Sequence, residues 1–532
     1  MRILLAQPPQ ADPAQPYTSL SILSAAWRQA GLSVDVVDMN VDFFNYLCEE
    51  QTLTGFLAEA KERFHSAASR DVVERRGLEQ ALASADWLIP MTAKALKILH
   101  HPEMFFQADH YAWAFRTLKR TLNTVSAITY PGQVSLQSFK TAHSYLSSHG
   151  ILAARDDWQC NLFLRFCENR LLERFRRWRP DILALSVTFQ TQMIPAWTLA
   201  GWVRRHFPFV RIVMGGATIS RIHEALMDAP ELFDGVDAFM FYEGETAFPA
   251  LAEEWQNGNS GLNAPNAVVL RDGRPVQSAK THIEDLNRLP SPDHDWLSQH
   301  DYWVPEPALL LNVSRGCYHG RCAFCMISPG SWGPERSSAS YRVRAAERIA
   351  VDVARMVEQT GVRAINLSND ALSPHDLRKI GHALADIGRP VTWDTEIRLE
   401  KSLKRDILSQ MYDGGCRHLR FGFESCCVPG PRPDGQKNRC GQLAAHHRRL
   451  HRSGYHRQPD VPDRVSRGNP RGGPPDPEVL GRRLAAGAVH LDFTLRPRIR
   501  VPGVSQPRSL WHEGNGQPRR REPVVDVPVP PV

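Results

Sequence analysis

Two hydrophobic patterns take turns along the chain from Met1 to about Cys427: strict alternation of apolar and polar positions, and apolar recurrence every three or four residues. RILLAQ at the N-terminus predicts a strand, Ser19–Ala30 a helix ended by Gly31, and SVDVVDMN a second strand, which together make a β-α-β opening. From about Phe43 to Arg179 the spacing turns helical, as in AWAFRTLKRTL and NLFLRFCENRLLERFRRW, and predicts a helical insertion. Alternation then resumes with strand DILALSVTF, helix Ala196–His206, strand RIVMGGA, a helix near Ser220–Met227, strand AFMFYE and helix AFPALAEEW. Strands and helices in alternation mean a parallel sheet covered on both faces.

A Pro-rich connector, Asn263–Pro305, carries a hairpin, AVVLRDGRPV, whose Asp272-Gly273 is a turn pair. A second alternating set follows: strand ALLLNVS, helix Ala346–Gln359, strand RAINLS, helix Pro374–Ile387, strand VTWDTEI, helix Ser402–Tyr412 stopped by Gly414-Gly415, and strand HLRFGFES. After Cys427 neither period persists. The last 105 residues hold 17 of the 39 prolines and one lysine, a composition that cannot bury a core and predicts disorder. The expected organisation is therefore an α/β domain over 1–260 with an insertion over about 43–179, a linker over 261–305, a second array over 306–427 and a tail over 428–532. No internal repeat of solenoid length is evident.

Composition changes this picture little. A chain of 532 residues suggests about three domains, and 42% hydrophobic with 23% charged residues is ordinary for a globular protein. The N-terminus is too short in apolar residues for a signal core, and the uncharged run Ile182–Val203 is interrupted by Thr188, Gln190, Thr191, Gln192 and Pro195, so no membrane span is expected. The expected compartment is the reducing cytoplasm, where clustered cysteines mean metal or catalysis more often than disulfides. The net charge of +7 divides unevenly: 19 Lys+Arg against 9 acidic residues from Val428 onward give +10, and the remainder carries −3. The body is thus near neutral, and nucleic acid is not its expected partner.

The chemistry concentrates in SRGCYHGRCAFC, where Cys317, Cys322 and Cys325 have the spacing C-x4-C-x2-C. Thiolates this close converge on one metal centre. A structural zinc would need a fourth ligand, His319 or a remote cysteine, and no second knuckle follows. A plant-type ferredoxin centre begins with this spacing but also needs a fourth thiolate, and the next cysteine is Cys416. Three thiolates alone leave one iron of a cubane cluster open to a substrate or cofactor. The loop follows directly on a strand of a β/α array, where such folds place their chemistry.

These residues, with Phe324 before the last cysteine, GFES at Gly422–Ser425, and QPPQ, MGGA and YEGE starting at Gln7, Met214 and Tyr242, resemble the radical S-adenosylmethionine enzymes, in the branch with an N-terminal cobalamin-binding domain. The resemblance spans roughly Met1 to Cys426. That family usually has three residues between its first two cysteines, and this loop has four, a variant similar to one in some cobalamin-dependent members. The resemblance implies a Rossmann-like cobalamin domain followed by a TIM-like barrel. It implies that Cys317, Cys322 and Cys325 bind a [4Fe-4S] cluster whose open iron is chelated by S-adenosylmethionine, and that reductive cleavage yields a 5′-deoxyadenosyl radical. It also implies a reductant such as flavodoxin or ferredoxin, a small-molecule or peptide substrate, and methyl transfer or rearrangement as the reaction.

Further candidates for cofactor contact are Phe324, Asn369, Asp370, Glu396, Arg398, Glu424 and Ser425 in the second array, and Ser186, Gly215, Gly216 and Glu243 at strand ends of the first. Any of these polar residues could instead cap a helix or sit in a solvated loop, and a glycine pair after a strand is also an ordinary tight turn. No G-x-G-x-x-G follows the first strand, which leaves a dinucleotide fold unsupported, and no D-x-H-x-x-G motif is present to supply an axial histidine to cobalamin. The insertion could shape substrate access or be purely structural. The barrel pattern stops after four strands where six are usual, so a reading frame shifted from near Cys427, with loss of activity, is one expectation; a basic arm on a non-enzymatic metal- or nucleic-acid-binding protein is the rival.

Overall fold

The computed structural model describes residues 1–66, 71–320, 322, 325, 341–388, 390–422, 455–457 and 490–495, which all fall within one unit, Met1–Arg496. The chain opens with β1 (Arg2–Gln7), the helix Thr18–Gln29 and β2 (Ser33–Asp38). Asp38 ends β2 by accepting from the N–H groups of Asn40 and Val41, so the helical insertion begins at Met39, a few residues before the spacing suggested. It runs through successive helices to Trp178 and contains one short hairpin, β3 (Gln133–Val134) with β4 (Phe139–Lys140).

The chain then returns to the first sheet as β5 (Ile182–Ser186), β6 (Arg211–Gly215) and β7 (Ala238–Met240), followed by an antiparallel pair, β8 (Ala267–Arg271) and β9 (Arg274–Gln277). The order is β2-β1-β5-β6-β7-β8-β9. The connector from residue 261 is therefore no mere linker, because its hairpin completes the first sheet through β7–β8 pairing. Asp272 and Gly273 both take positive φ, +51° and +74°, which the tight turn needs. Successive strands depart from β1 in opposite directions, to β2 and across to β5, so the crevice beyond Gln7 and Ser186 is the topological switch point.

Both faces of this sheet are covered. Leu4, Leu183, Leu185, Ile212 and Phe239 pack with the insertion helices and the helix Met193–His206. Ile3, Leu5, Ala184, Val213 and Met240 pack instead with Trp27 of the first helix and Phe248 of the helix Ala247–Gln256, whose rings stack at 3.8 Å. The alternation of β1 dictates this division, because successive side chains point to opposite faces.

The second sheet begins with β10 (Leu309–Asn312); β11 (Ser314–Arg315) pairs antiparallel with β12 (Arg342–Val343) as a separate ribbon. The parallel strands β13 (Ala364–Ser368), β14 (Thr392–Arg398) and β15 (Cys416–Gly422) follow beside β10, with helices Ala346–Thr360, Pro374–Ala385 and Arg405–Asp413 between them. Leu311, Ile365, Leu367, Trp393, Ile397, Leu419 and Phe421 build the core against those helices. This confirms the four-stranded parallel array.

Within the tail expected to be disordered, two strands are described, β16 (Tyr455–Arg457) and β17 (His490–Leu495), and β17 pairs antiparallel with β15. The backbone N–H and C=O groups along β15 are thereby paired on both sides, which the absence of a sustained period did not foretell. The remainder of the tail, and with it the question of a shifted frame, lies outside the described residues. No helix among the described residues is long and apolar enough to cross a membrane.

Candidate functional site

The cysteine loop leaves β10 through the ribbon and turns at Gly316, whose φ of +76° suits glycine. Gly316 N–H donates to Asp370 Oδ2 at 2.9 Å, and Cys317 forms an isolated parallel bridge with Ala371. The loop is thus fastened to the C-terminal end of β13. Tyr318 Oη donates to Glu400, beyond the end of β14. Cys317, Cys322 and Cys325 are all half-buried. Burial raises the Cys317 thiol above its ordinary value, and the N–H groups of Gly320 and His319 with the Arg398 charge oppose it.

Among the described residues no three His, Cys, Asp or Glu side chains stand together as a metal-holding group. Residues 321, 323, 324 and 326–340 lie outside the described set, and with them Phe324; so do Glu424 and Ser425. Cys416 is no fourth ligand. It is fully buried at the start of β15, level with Trp393, with Sγ 3.6 Å from the His418 carbonyl, whereas Cys317 follows the opposite end of the neighbouring strands.

The C-terminal ends of the two sheets meet over a cavity of about 440 Å³. The first sheet contributes Ser186, Gly215, Gly216 and Glu243, together with Tyr17, Tyr242 and the apolar side chains Leu5, Trp27 and Phe248. The second contributes Asn369, Asp370 and Glu396, with Asn312, Asn366 and Arg420. No residue of the helical insertion lines it, because those helices cover the other face of the first sheet.

The individual candidates differ in what they leave available. Ser186 Oγ donates to Ser19 Oγ at 2.8 Å across the switch point. Gly216 has φ of +107°, and a Cβ there would lie 2.6 Å from the Val187 carbonyl oxygen, so glycine is required by the backbone. Glu243 lines the cavity, but its carboxylate is fully buried and held by Arg315 and Arg342, 2.8 and 2.5 Å away. Burial would raise its pKa; the two guanidiniums overcome that and hold it below the usual carboxylate range.

On the second sheet, Asn369 Nδ2 donates to the Leu367 carbonyl and to Thr395, while its buried Oδ1 has no partner among the described residues. Glu396 is about half exposed, with Arg420 Nε 3.6 Å away, and Arg420 also pairs with Asp394 at 2.8 Å. Arg398 does not line the cavity. Its Nη1 lies 3.8 Å from Cys322 Sγ and its Nε 3.3 Å from Glu400.

Sequence reasoning missed Tyr17, Arg315, Asn366 and Arg420. Alternation in AINLS and CRHLRFG carried a signal for the last two, since Asn366 and Arg420 stand between core residues, Ile365 and Leu367 in one strand and Leu419 and Phe421 in the other, and so face the opposite side. Tyr17 gave none: it ends an irregular loop, yet its hydroxyl is pushed above its ordinary value by burial, with Arg221 opposing and Glu396 and Asp370 adding from across the cavity.

No protein-family model matches the chain. Among solved structures, a radical S-adenosylmethionine methyltransferase, TsrM, from Kitasatospora setae, with tryptophan substrate and an S-adenosylmethionine analogue bound, superposes with a TM-score of 0.50. The match covers 85% of this chain and 66% of that one, at 13% identity. A second structure of TsrM holds cobalamin and a [4Fe-4S] cluster. The chain has the fold of the cobalamin-dependent radical S-adenosylmethionine enzymes. A cobalamin-dependent S-adenosylmethionine radical enzyme, OxsB, aligns with 52% of this chain and 40% of its own, at 17% identity with a TM-score of 0.43. In sequence, the hopanoid C-3 methylase of Methylococcus capsulatus is 23% identical over 261 residues. That match spans 49% of this chain and about half, 48%, of the relative's length.

Proposed function

We propose that this chain is a cobalamin-dependent radical S-adenosylmethionine enzyme that transfers a methyl group to a small molecule. The observation that carries the reading is the shared cavity: one wall comes from the switch point of a Rossmann-like sheet, the other from strand ends of a β/α array with the cysteine loop on its rim. The comparisons support it, since the relatives named above are a methylase and a methyltransferase.

The residues present suit the groups this reading requires. Three cysteine thiols on a glycine-turned loop, beside backbone N–H groups and the Arg398 cation, are a donor set for an iron–sulfur cluster. Asn369, with an orphaned buried oxygen, and half-exposed Glu396 offer acceptors to the amino or hydroxyl groups of S-adenosylmethionine. Ser186, Gly215 and Gly216 present a small, close-approach surface at the switch point, continuous with the apolar lining of Leu5, Trp27 and Phe248, for cobalamin.

When bound, the cluster with S-adenosylmethionine supplies one-electron cleavage of a sulfonium, and cobalamin supplies a carrier for a methyl group. The chain's own residues do the rest. Asp370 orients the cysteine loop through Gly316, Arg398 sets positive charge beside the Cys322 sulfur, and the two sheets enclose the reacting groups away from bulk water.

Anaerobic reconstitution with iron, sulfide and hydroxocobalamin tests the proposal. The expected result is a four-iron cluster spectrum perturbed by S-adenosylmethionine and lost in Cys322→Ala, together with stoichiometric corrinoid binding. Uptake of tetrahedral zinc in place of iron would rule the reading out.

A further inference from the structure

Both feet of the cysteine loop are tied to one short turn of the first domain. Arg315 and Arg342 are directly opposite each other in the β11–β12 ribbon from which the loop springs. Both reach Glu243: Arg315 Nη1 at 2.8 Å and Arg342 Nη2 at 2.5 Å. Arg315 also pairs with Glu245. The side chains of Arg315, Glu243 and Glu245 are at most 5% exposed, so one guanidinium and two carboxylates meet in a site nearly closed to water, and Arg342, 22% exposed, joins them from its edge.

The turn that supplies the two carboxylates, Tyr242-Glu243-Gly244-Glu245, is itself stiff. Tyr242 takes a φ of +59° and donates its N–H to Ser220 Oγ at 2.7 Å. The Gly244 carbonyl accepts from Trp27 Nε1 at 3.0 Å, and the Glu243 carbonyl accepts from Asn266 Nδ2 at 2.9 Å. Glu243 Oε2 further accepts the Glu284 N–H at 2.5 Å. All four residues of the turn line the shared cavity. A ligand against the first sheet therefore touches the same turn that grips Arg315, two residues before Cys317.

We infer that Arg315 and the Tyr242–Glu245 turn are a positioning device that transmits occupancy of the first-sheet side of the cavity to the cysteine loop. The inference rests on the proposed binding of cobalamin there and goes beyond it. Arginine suits the task because its planar fork engages two carboxylates at once, which lysine cannot do, and in so dry a site neither carboxylate can let go without leaving an uncompensated charge. The device makes Arg315 a positioning residue, acting through the loop's geometry.

Hydrogen exchange of the full chain, read on peptides covering Ser314–Gly320 with and without hydroxocobalamin, tests it. Wild-type protein should exchange more slowly at these amides once the corrinoid is bound. Glu245→Gln should exchange about tenfold faster without ligand and should no longer respond, although the visible spectrum still reports binding. Arg315→Lys should respond partially, and Glu59→Gln, which breaks an ion pair with Arg165 inside the helical insertion, should behave as wild type. A folded Glu245→Gln with wild-type exchange and response overturns the inference; if that variant does not fold, a full wild-type response in Arg315→Lys does so. Bound corrinoid without any loop response in wild type sinks the coupling alone, whereas failure to bind hydroxocobalamin sinks the proposed function and the coupling with it.

Discussion

Asp370, just past the end of β13, holds the N–H of Gly316 at 2.9 Å, one residue before the first cysteine of the cysteine loop. A hydrogen bond to a charged acceptor contributes about 1.5–3 kcal/mol, enough to bias the conformation of a loop. Asp370→Ala should lower the iron retained per chain after reconstitution, and Asp370→Asn, which keeps an acceptor oxygen, should restore most of it. Equal iron content in all three proteins would show that the contact does not organise the loop.

Cys416 separates ligand from bystander. It is buried among helix-facing core residues at the far end of the strands. Cys416→Ala should cost about 1 kcal/mol in urea unfolding, the scale of a small core truncation, and leave iron uptake unchanged. Cys317→Ala should abolish uptake with little effect on the unfolding midpoint.

Glu396 and Asp394 lie two positions apart on one strand but should behave differently. Asp394 is held by Arg420 and Asn366, each at 2.8 Å, and is expected to be structural. Asp394→Ala should therefore destabilise by about 2 kcal/mol. Glu396, half open to the cavity, should leave stability within about 0.5 kcal/mol when changed to Gln, while weakening S-adenosylmethionine binding several-fold by equilibrium dialysis. The opposite assignment of the two effects would refute the distinction.

Gly216→Ala should destabilise by more than about 1 kcal/mol, because the backbone there lies at positive φ and Val187 leaves no room for a Cβ. Corrinoid affinity should fall with it. Gly215→Ala is the control: its φ is not positive and its nearest neighbour is at 3.2 Å, so a smaller effect is expected.

His294 gives a pH dependence with a definite sign. Burial lowers its pKa from 6.5 to about 4, against the opposing charge of Asp293. The unfolded chain therefore binds a proton that the folded chain refuses across that interval, so stability is full above the higher value and falls as pH drops toward the lower one. The loss amounts to about 3 kcal/mol for this group. Comparing urea unfolding at pH 7 and pH 4.5 for wild type and His294→Gln should show a smaller drop in the variant; parallel drops would mean the imidazole is not the group involved.

The alternation of RILLAQ and of TWDTEIR, the cysteine spacing and the turn pair Asp272-Gly273 are local properties, and each determined its element without reference to the rest of the chain. Strand identity, the parallel arrays and the candidate metal loop were accordingly legible in the sequence. Local pattern could not say that the hairpin after residue 261 closes the first sheet, that Gly216 is demanded by Val187, or that Glu243 is spent on Arg315 and Arg342. Those facts depend on contacts between residues far apart in the chain, and a carboxylate reads the same in sequence whether it faces a cofactor or a guanidinium. The cysteine spacing marked a candidate metal loop; only the packing of two sheets, end to end over one cavity, decided which residues line the space beside it.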